Sequence, residues 1–250
     1  MTPILEFEKV WYSYPSQTKP ALKDLNLRLP QGKRVAVLGR NGSGKSTLFR
    51  LCSGQLKPDR GTLYFNGQPM DYSYDSLRNL RKQIGVVSQN PDEQMFSFDV
   101  RENIRFGLLN QGISEQKISW RVQQAAALCE ITRLLDEPTH ALSTGEKVRV
   151  ALATVMVMNP DVLLIDEPTA NLDPWMRREI FAILGNLYRR GKSIIITSHE
   201  VEVARHWADF VVIIDHGRIV TADTSKRLFA NKRLLKRLGM EKPWYISLRE

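Results

Sequence analysis

The chain has 250 residues and a mass of 28.7 kDa, enough for one large domain, or a domain with a small appendage, around a substantial core. With 42% hydrophobic and 25% charged residues it is compositionally ordinary, which excludes global disorder, collagen-like repeats and coiled-coil rods. A net charge of +9 permits nucleic acid, anionic headgroups or an anionic ligand as partner and selects none of them.

Mean hydropathy is −0.30, and no apolar run approaches the roughly 18–20 residues of a membrane span, so none is expected. Met1-Thr2-Pro3-Ile4 does not have the basic-then-apolar layout of a secretory leader. Two cysteines, Cys52 and Cys129, give no disulfide framework and are expected to fill core space on helices.

In chain order, Leu5–Val10 and Leu25–Leu29 alternate apolar and polar residues, which predicts half-buried antiparallel strands. Gly61–Gly67 predicts another strand between turn glycines. Val35–Leu38, Ile84–Val87, Val162–Ile165, Ile194–Ile196 and Val211–Ile214 are nearly all apolar. They read as strands buried on both faces of a mostly parallel sheet, with helical stretches between them. From about Val100 to His140 the chain turns polar and helical, a helical insertion into the α/β pattern. From about Thr224 a short helical appendage rich in Lys and Arg is expected.

Gly39-Arg40-Asn41-Gly42-Ser43-Gly44-Lys45-Ser46-Thr47 fits G-x-x-x-x-G-K-[ST] and lies between a buried strand and an apolar-periodic helix. The glycines allow a tight turn with inward N–H groups, which suits a polyphosphate at a helix N-terminus. Lys45 can reach the β- and γ-phosphates, and the Ser46 hydroxyl can ligate Mg²⁺. Val162–Ile165 ends in Asp166 and Glu167: the first is expected to hold Mg²⁺, the second to orient or deprotonate water. Strand alternation is expected to point Glu167 away from Asp166. Leu134–Thr139 nearly repeats Leu164–Thr169, but Glu130, Thr132 and Arg133 break the buried-strand pattern before it, so the copy is assigned to a surface segment. Leu142-Ser143-Thr144-Gly145-Glu146 opens a helix with S-x-x-E capping-box spacing. Gly145 in its first turn is expected to leave backbone N–H groups uncovered for an anion.

Together these segments resemble the ATP-binding subunits of ABC transporters over about residues 4–222. Gly39–Thr47 is similar to Walker A, Val162–Glu167 to Walker B with its glutamate, and Leu142–Glu146 to the signature. Gln89 stands in the Q-loop place, Ala170-Asn171-Leu172-Asp173 resembles the D-loop, His199 the switch histidine, and Tyr14 the aromatic that stacks on adenine. Thr144 stands where the family usually has Gly, and Glu146 replaces the commoner Gln. The segment Gln89-Asn90-Pro91-Asp92-Glu93-Gln94-Met95-Phe96 resembles the energising subunits of energy-coupling-factor (ECF) transporters, the cobalt and nickel type included.

The resemblance implies an α/β fold. It would be a P-loop NTPase core, a mostly parallel sheet flanked by helices, with an N-terminal antiparallel β subdomain and an inserted α-helical subdomain. Residues 1–230 would form the ATP-binding domain, with the helical part at 90–158, and 231–250 a basic extension. It implies that ATP is bound by Tyr14, Gly39, Asn41, Gly42, Ser43, Gly44, Lys45, Ser46 and Thr47. On the opposite side it would meet Ser143, Gly145, Glu146 and Asp173. Mg²⁺ would be held by Ser46, Gln89 and Asp166, and catalysis would fall to Glu167, His199, Lys45 and Gln89. Two ATP-binding subunits, identical or related, would stack head to tail with ATP between them. Integral membrane subunits would dock near Gln89–Phe98, through Met95, Phe96 and Phe98, at the cytoplasmic face of the membrane. Nucleic acid is not an expected partner. The rival expectations are an ABC-type ATPase that uses the basic run from Lys226 to Arg237 on nucleic acid, and a nucleotide-binding module with little turnover.

Overall fold

The computed structural model describes residues 3–170 and 172–237, with the side chain of Asn110 left aside. Two sheets organise the chain. β1 (Pro3–Tyr12), β2 (Leu22–Pro30), β4 (Arg60–Phe65) and β5 (Gln68–Pro69) form a four-stranded antiparallel sheet in the order β2-β1-β4-β5. Its strands bury one face, as the period-two pattern requires: Leu5, Phe7, Val10, Leu25 and Leu27 are inside. The alternation breaks at Lys9, whose left-handed backbone (φ 49°) sits at a register shift in both pairings of β1.

The second sheet is six-stranded, in the order β10-β9-β3-β8-β7-β6. β3 (Arg34–Leu38) lies between β9 (Phe210–Asp215) and β8 (Ser193–Ser198); β7 (Val162–Ile165) and β6 (Ile84–Val87) continue the sheet. All neighbours pair in parallel except β10 (Arg218–Thr224), which returns antiparallel on β9. Residues on the central strands divide between two cores. Ala36, Leu38, Leu163 and Ile165 join the one containing the helical segments, whereas Val35, Val37, Val162 and Leu164 join the one under the antiparallel sheet.

α1 (Lys45–Cys52) follows β3, and α2 (Tyr74–Gln83) precedes β6. Between β6 and β7 the chain is helical: α3 (Val100–Arg105), α4 (Glu115–Leu128) and α5 (Thr144–Met156), joined by 3₁₀ turns. α6 (Pro174–Arg189), α7 (Val201–Trp207), α8 (Ser225–Ala230) and α9 (Lys232–Arg237) complete the elements. Residues 238–250 of the basic extension lie outside the described residues. Cys52 ends α1 and Cys129 caps α4. Both are fully buried, and burial pushes both thiols up, Cys129 to about 12, so neither is a reactive thiolate.

Close approach fixes Gly85 on β6. A Cβ there would come within 2.1 Å of Val155 Cγ1 on α5 and 3.0 Å of Pro160 Cγ, both short, stiff side chains. Gly85→Ala is therefore expected to destabilise the fold by about 1–3 kcal/mol, read as a lowered urea midpoint at unchanged slope. An unchanged midpoint would show that α5 rides loosely on the sheet.

Candidate functional site

The loop after β3 carries the first group of predicted residues. Gly42 and Gly44 have positive φ (76° and 109°), and a Cβ on Gly44 would press Leu22 Cδ2 at 2.7 Å. A Cβ on Gly39 would strike Ser43 Oγ and the Ile214 carbonyl, so this glycine is required by proximity alone. Ser43 Oγ is buried with no hydrogen-bond partner, and the first turn of α1 holds no acidic residue. A polar atom left unpaired inside a glycine loop, at the start of a helix whose own first turn carries no acidic residue, fits a phosphate cradle.

Lys45, buried to 6% exposure, donates to the Gly39 carbonyl at 2.9 Å and to that of Arg40 at 3.4 Å. Its Nζ also lies 3.5 Å from Glu167 Oε1. The other Glu167 oxygen is 3.1 Å from His199 Nδ1. Glu167 therefore lies between an ammonium and an imidazole. Its backbone is left-handed (φ 46°) and its N–H donates to Thr197 Oγ1 at 3.0 Å. This corrects the sequence expectation: β7 ends at Ile165, and a positive-φ turn braced by β8, not strand alternation, directs Glu167.

Ser46 donates to Asp166 Oδ2 at 2.8 Å, and the other Asp166 oxygen accepts from Thr197. Among the described residues no group of three His, Cys, Asp or Glu gathers at one point. A serine hydroxyl beside a carboxylate oxygen, with the exposed Gln89 amide lining the same cleft as Ser46, is a hard oxygen set. Such a set fits Mg²⁺ that keeps part of its water shell. Thr197, which organises both acidic residues, carried no recognisable sequence signal.

Lys45, Ser46, Gln89 and Glu167 border a cleft of about 360 Å³ that also takes in Tyr14, Asn41, Gly42, Gly44 and Thr47; Asp166 lines the neighbouring cleft, which shares Ser46 and Gln89 with it. Tyr14 is held at its rim by a 3.2 Å hydroxyl contact with Thr47 and by Arg50 at 3.4 Å. Ser143, Gly145, Glu146 and Asp173 do not line this cleft.

The second group caps helices elsewhere. Ser143 and Glu146 form a complete capping box: Ser143 donates its N–H (3.0 Å) and hydroxyl (2.8 Å) to Glu146 Oε2. Those bonds hold the Glu146 carboxyl below its usual value, helped by Arg133. Asp173 caps α6, accepting from the Trp175 and Met176 amides. Asn171 lies outside the described residues. Gly145 is buried in the first turn of α5, where a Cβ would press on the flexible end of Met176 on α6. The near-copy at Leu134–Thr139 runs between two 3₁₀ turns, with Asp136 exposed and paired with Arg101.

Sequence comparison adds the decisive fact: the family model described as ABC transporter matches residues 22–170. The chain belongs to the ABC transporter family of ATP-binding proteins. It is 38% identical, over 99% of its length and 62% of the relative's, to the energy-coupling factor transporter ATP-binding protein EcfA2 of Methanospirillum hungatei. With EcfA of Methanothermobacter thermautotrophicus it shares 39% identity over 96% of this chain and 77% of that one. A putative ABC transporter ATP-binding protein of Methanosarcina mazei is 42% identical, and this chain spans 54% of that protein's length. The solved structure of cbiO1 from Clostridium perfringens, part of the ABC transporter complex cbiONQ, superposes with TM-score 0.87 at 39% identity, covering 100% of this chain and 99% of that one. A dimeric ATP-binding cassette, MJ0796, bound to ADP and Pi superposes with TM-score 0.80 at 26% identity, over 88% and 98% of the two chains. The ABC cassette therefore has the α/β architecture expected from the sequence. Among the described residues no helix is long and apolar enough to cross a membrane.

Proposed function

We propose that this cassette hydrolyses ATP to drive an ECF-type importer of a metal cation, cobalt or nickel, or of a vitamin, from the cytoplasmic face of the membrane. The carrying observation is Glu167 held between Lys45 and His199, one residue after the Asp166 that meets Ser46. Residues 1–230 act as the ATP-binding domain, with 90–158 as its helical subdomain and 231–250 as an extension.

The loop amides and Lys45 hold the triphosphate, and Tyr14 packs against the base. Ser46, Asp166 and Gln89 would hold Mg²⁺, which would supply charge neutralisation to the triphosphate. Glu167 accepts a hydrogen bond from the attacking water and takes its proton as the water oxygen bonds to the γ-phosphorus and the bond from that phosphorus to the β,γ-bridging oxygen breaks, releasing ADP and phosphate. His199, through Nδ1, fixes the carboxylate and presents the rest of its ring toward the γ-phosphate. Ser143 and Gly145 of a second cassette close over that phosphate. Their contacts favour the closed pair only while the triphosphate is intact, the differential affinity a ligand-driven switch requires. The capping box supports a slower variant of this reading: Ser143 already gives both donors to ionised Glu146, and Thr144 stands exposed beside it.

Membrane subunits dock on the face carrying Phe96 and Phe98, which are 51% and 75% exposed. Phe106, missed in the sequence, joins them with its ring 4.7 Å from that of Phe96. Met95, half-buried, packs partly against the helical core and lends its remaining surface to the same face. Phe98→Glu is expected to cut co-purification of the membrane subunits at least about tenfold, as loss of a central aromatic anchor does, while ATP turnover of the cassette alone persists. Solute-dependent ATP turnover of the reconstituted assembly tests the transport role, and a screen of Co²⁺, Ni²⁺ and vitamins identifies the cargo. Turnover stimulated by DNA or RNA in a salt-sensitive manner, with no response to membrane subunits, would replace this reading.

A further inference from the structure

β7 and β8 stop pairing just before the acidic residues. Their parallel register ends at Ile165 opposite Ile196. The Asp166 N–H turns to the Val87 carbonyl of β6 at 3.0 Å, and the Glu167 N–H has no further rung of the ladder to join. Thr197 fills the gap with its side chain, Oγ1 accepting from that N–H at 3.0 Å. An amide N–H can only donate, so Oγ1 accepts there and gives its own proton to Asp166 Oδ1. The direction of both bonds is thereby fixed, and each polarises the other. Asp166 keeps Oδ2 for Ser46.

Packing does not ask for this hydroxyl. Thr197 is fully buried and, by alternation along β8, shares its face with Ile195, in the compartment beneath the antiparallel sheet. Ile194, Ile195 and Ile196 precede it, and a valine of the same shape would suit such a strand with no polar atom to desolvate. The main chain at Glu167 does ask for it. That residue is left-handed (φ 46°), a conformation that costs energy for any residue with a Cβ and lasts only where the surroundings hold it. Thr197 holds its N–H, and its carbonyl accepts from the Ala170 N–H at 3.1 Å. Lys45 and the exposed His199 reach only the carboxylate, so they fix where the side chain ends and not where it starts.

We propose that Thr197 is a positioning residue for hydrolysis: its buried hydroxyl holds the left-handed turn that aims the Glu167 carboxylate. This rests on the ATPase reading above and adds the group that keeps the water-activating carboxylate in place. Thr197 does not line the nucleotide cleft, so it acts on the reaction through Glu167. Without the hydroxyl the Glu167 N–H has no partner. The turn relieves that by leaving the left-handed region, and the carboxylate moves with it.

Thr197→Val keeps the shape and drops the hydroxyl. At saturating Mg·ATP it is expected to lower kcat at least about tenfold, toward the roughly 100-fold that a misplacement of about 1 Å costs. ATP affinity stays within about twofold of wild type, since the loss falls on the chemical step. With triphosphate held and not cut, sedimentation shows a closed pair of cassettes that requires Mg·ATP. Thr197→Ser keeps the hydroxyl and restores kcat, although the lost methyl lowers its melting temperature. A hydroxyl that serves only the fold gives other results: Thr197→Val melts earlier with kcat per folded chain unchanged, or it loses ATP affinity together with kcat and forms no closed pair. Either result, or a Thr197→Ser variant as slow as Thr197→Val, overturns the positioning role and leaves the ATPase reading standing. A wild type that binds ATP but never hydrolyses it, alone or with membrane subunits, overturns that reading, and the role of Thr197 with it.

Discussion

Lys45→Ala is expected to weaken ATP binding by about 10- to 100-fold, the cost of one lost charge-assisted contact of about 1.5–3 kcal/mol, and to lower hydrolysis further. The reason lies in where the ammonium rests. It is nearly buried, it ties the start of the loop through the Gly39 and Arg40 carbonyls, and it faces Glu167 at 3.5 Å. Alanine removes the positive charge meant for the phosphates and leaves the Glu167 carboxylate as uncompensated negative charge beside them. Both effects repel a triphosphate. Equilibrium binding of a fluorescent ATP analogue measures the first; steady-state phosphate release measures the second. Wild-type affinity in the variant would mean that the loop amides alone hold the ligand and that Lys45 serves the loop's shape.

Glu167→Gln separates binding from chemistry. Glutamine matches glutamate in shape, so the His199 contact and the left-handed turn at 167 survive. What disappears is the capacity to take a proton, which is worth about 10²- to 10⁴-fold in rate. ATP affinity is expected to hold or rise, since one negative charge leaves the phosphate side. With hydrolysis slowed and the triphosphate intact, a closed pair of cassettes should accumulate, visible as a shift in sedimentation that requires Mg·ATP. Undiminished turnover would move the water-activating role to another residue.

Much of the cleft was legible because its parts are local. Val35–Leu38, the glycine loop and the apolar face of α1 form one continuous stretch, so strand, loop and helix could be read from spacing alone. Asp166 and Glu167 followed for the same reason, at the end of an unbroken apolar strand. The near-copy at Leu134–Thr139 was separable because polar residues before it deny it a buried strand. Contacts between distant stretches stayed hidden. Nothing local in Thr197 announces that it binds both Asp166 and the Glu167 amide. The direction of Glu167 depends on a backbone conformation that alternation rules do not contain. Nothing near Gly145 in the sequence announces that Met176, from a helix farther along the chain, packs against it. Phe106 was unremarkable until the fold set its ring on Phe96.

The alternation along β3 makes the central sheet a bulkhead between two hydrophobic compartments. Enlarging Ala36 crowds the compartment on the helical side, whereas trimming Val37 hollows the one beneath the antiparallel strands. Leu38 runs straight into Gly39, so either kind of damage arrives at the same hinge of backbone. Defects of opposite origin, far apart in what they disturb, should thus converge on a single symptom: a slackened grip on the nucleotide.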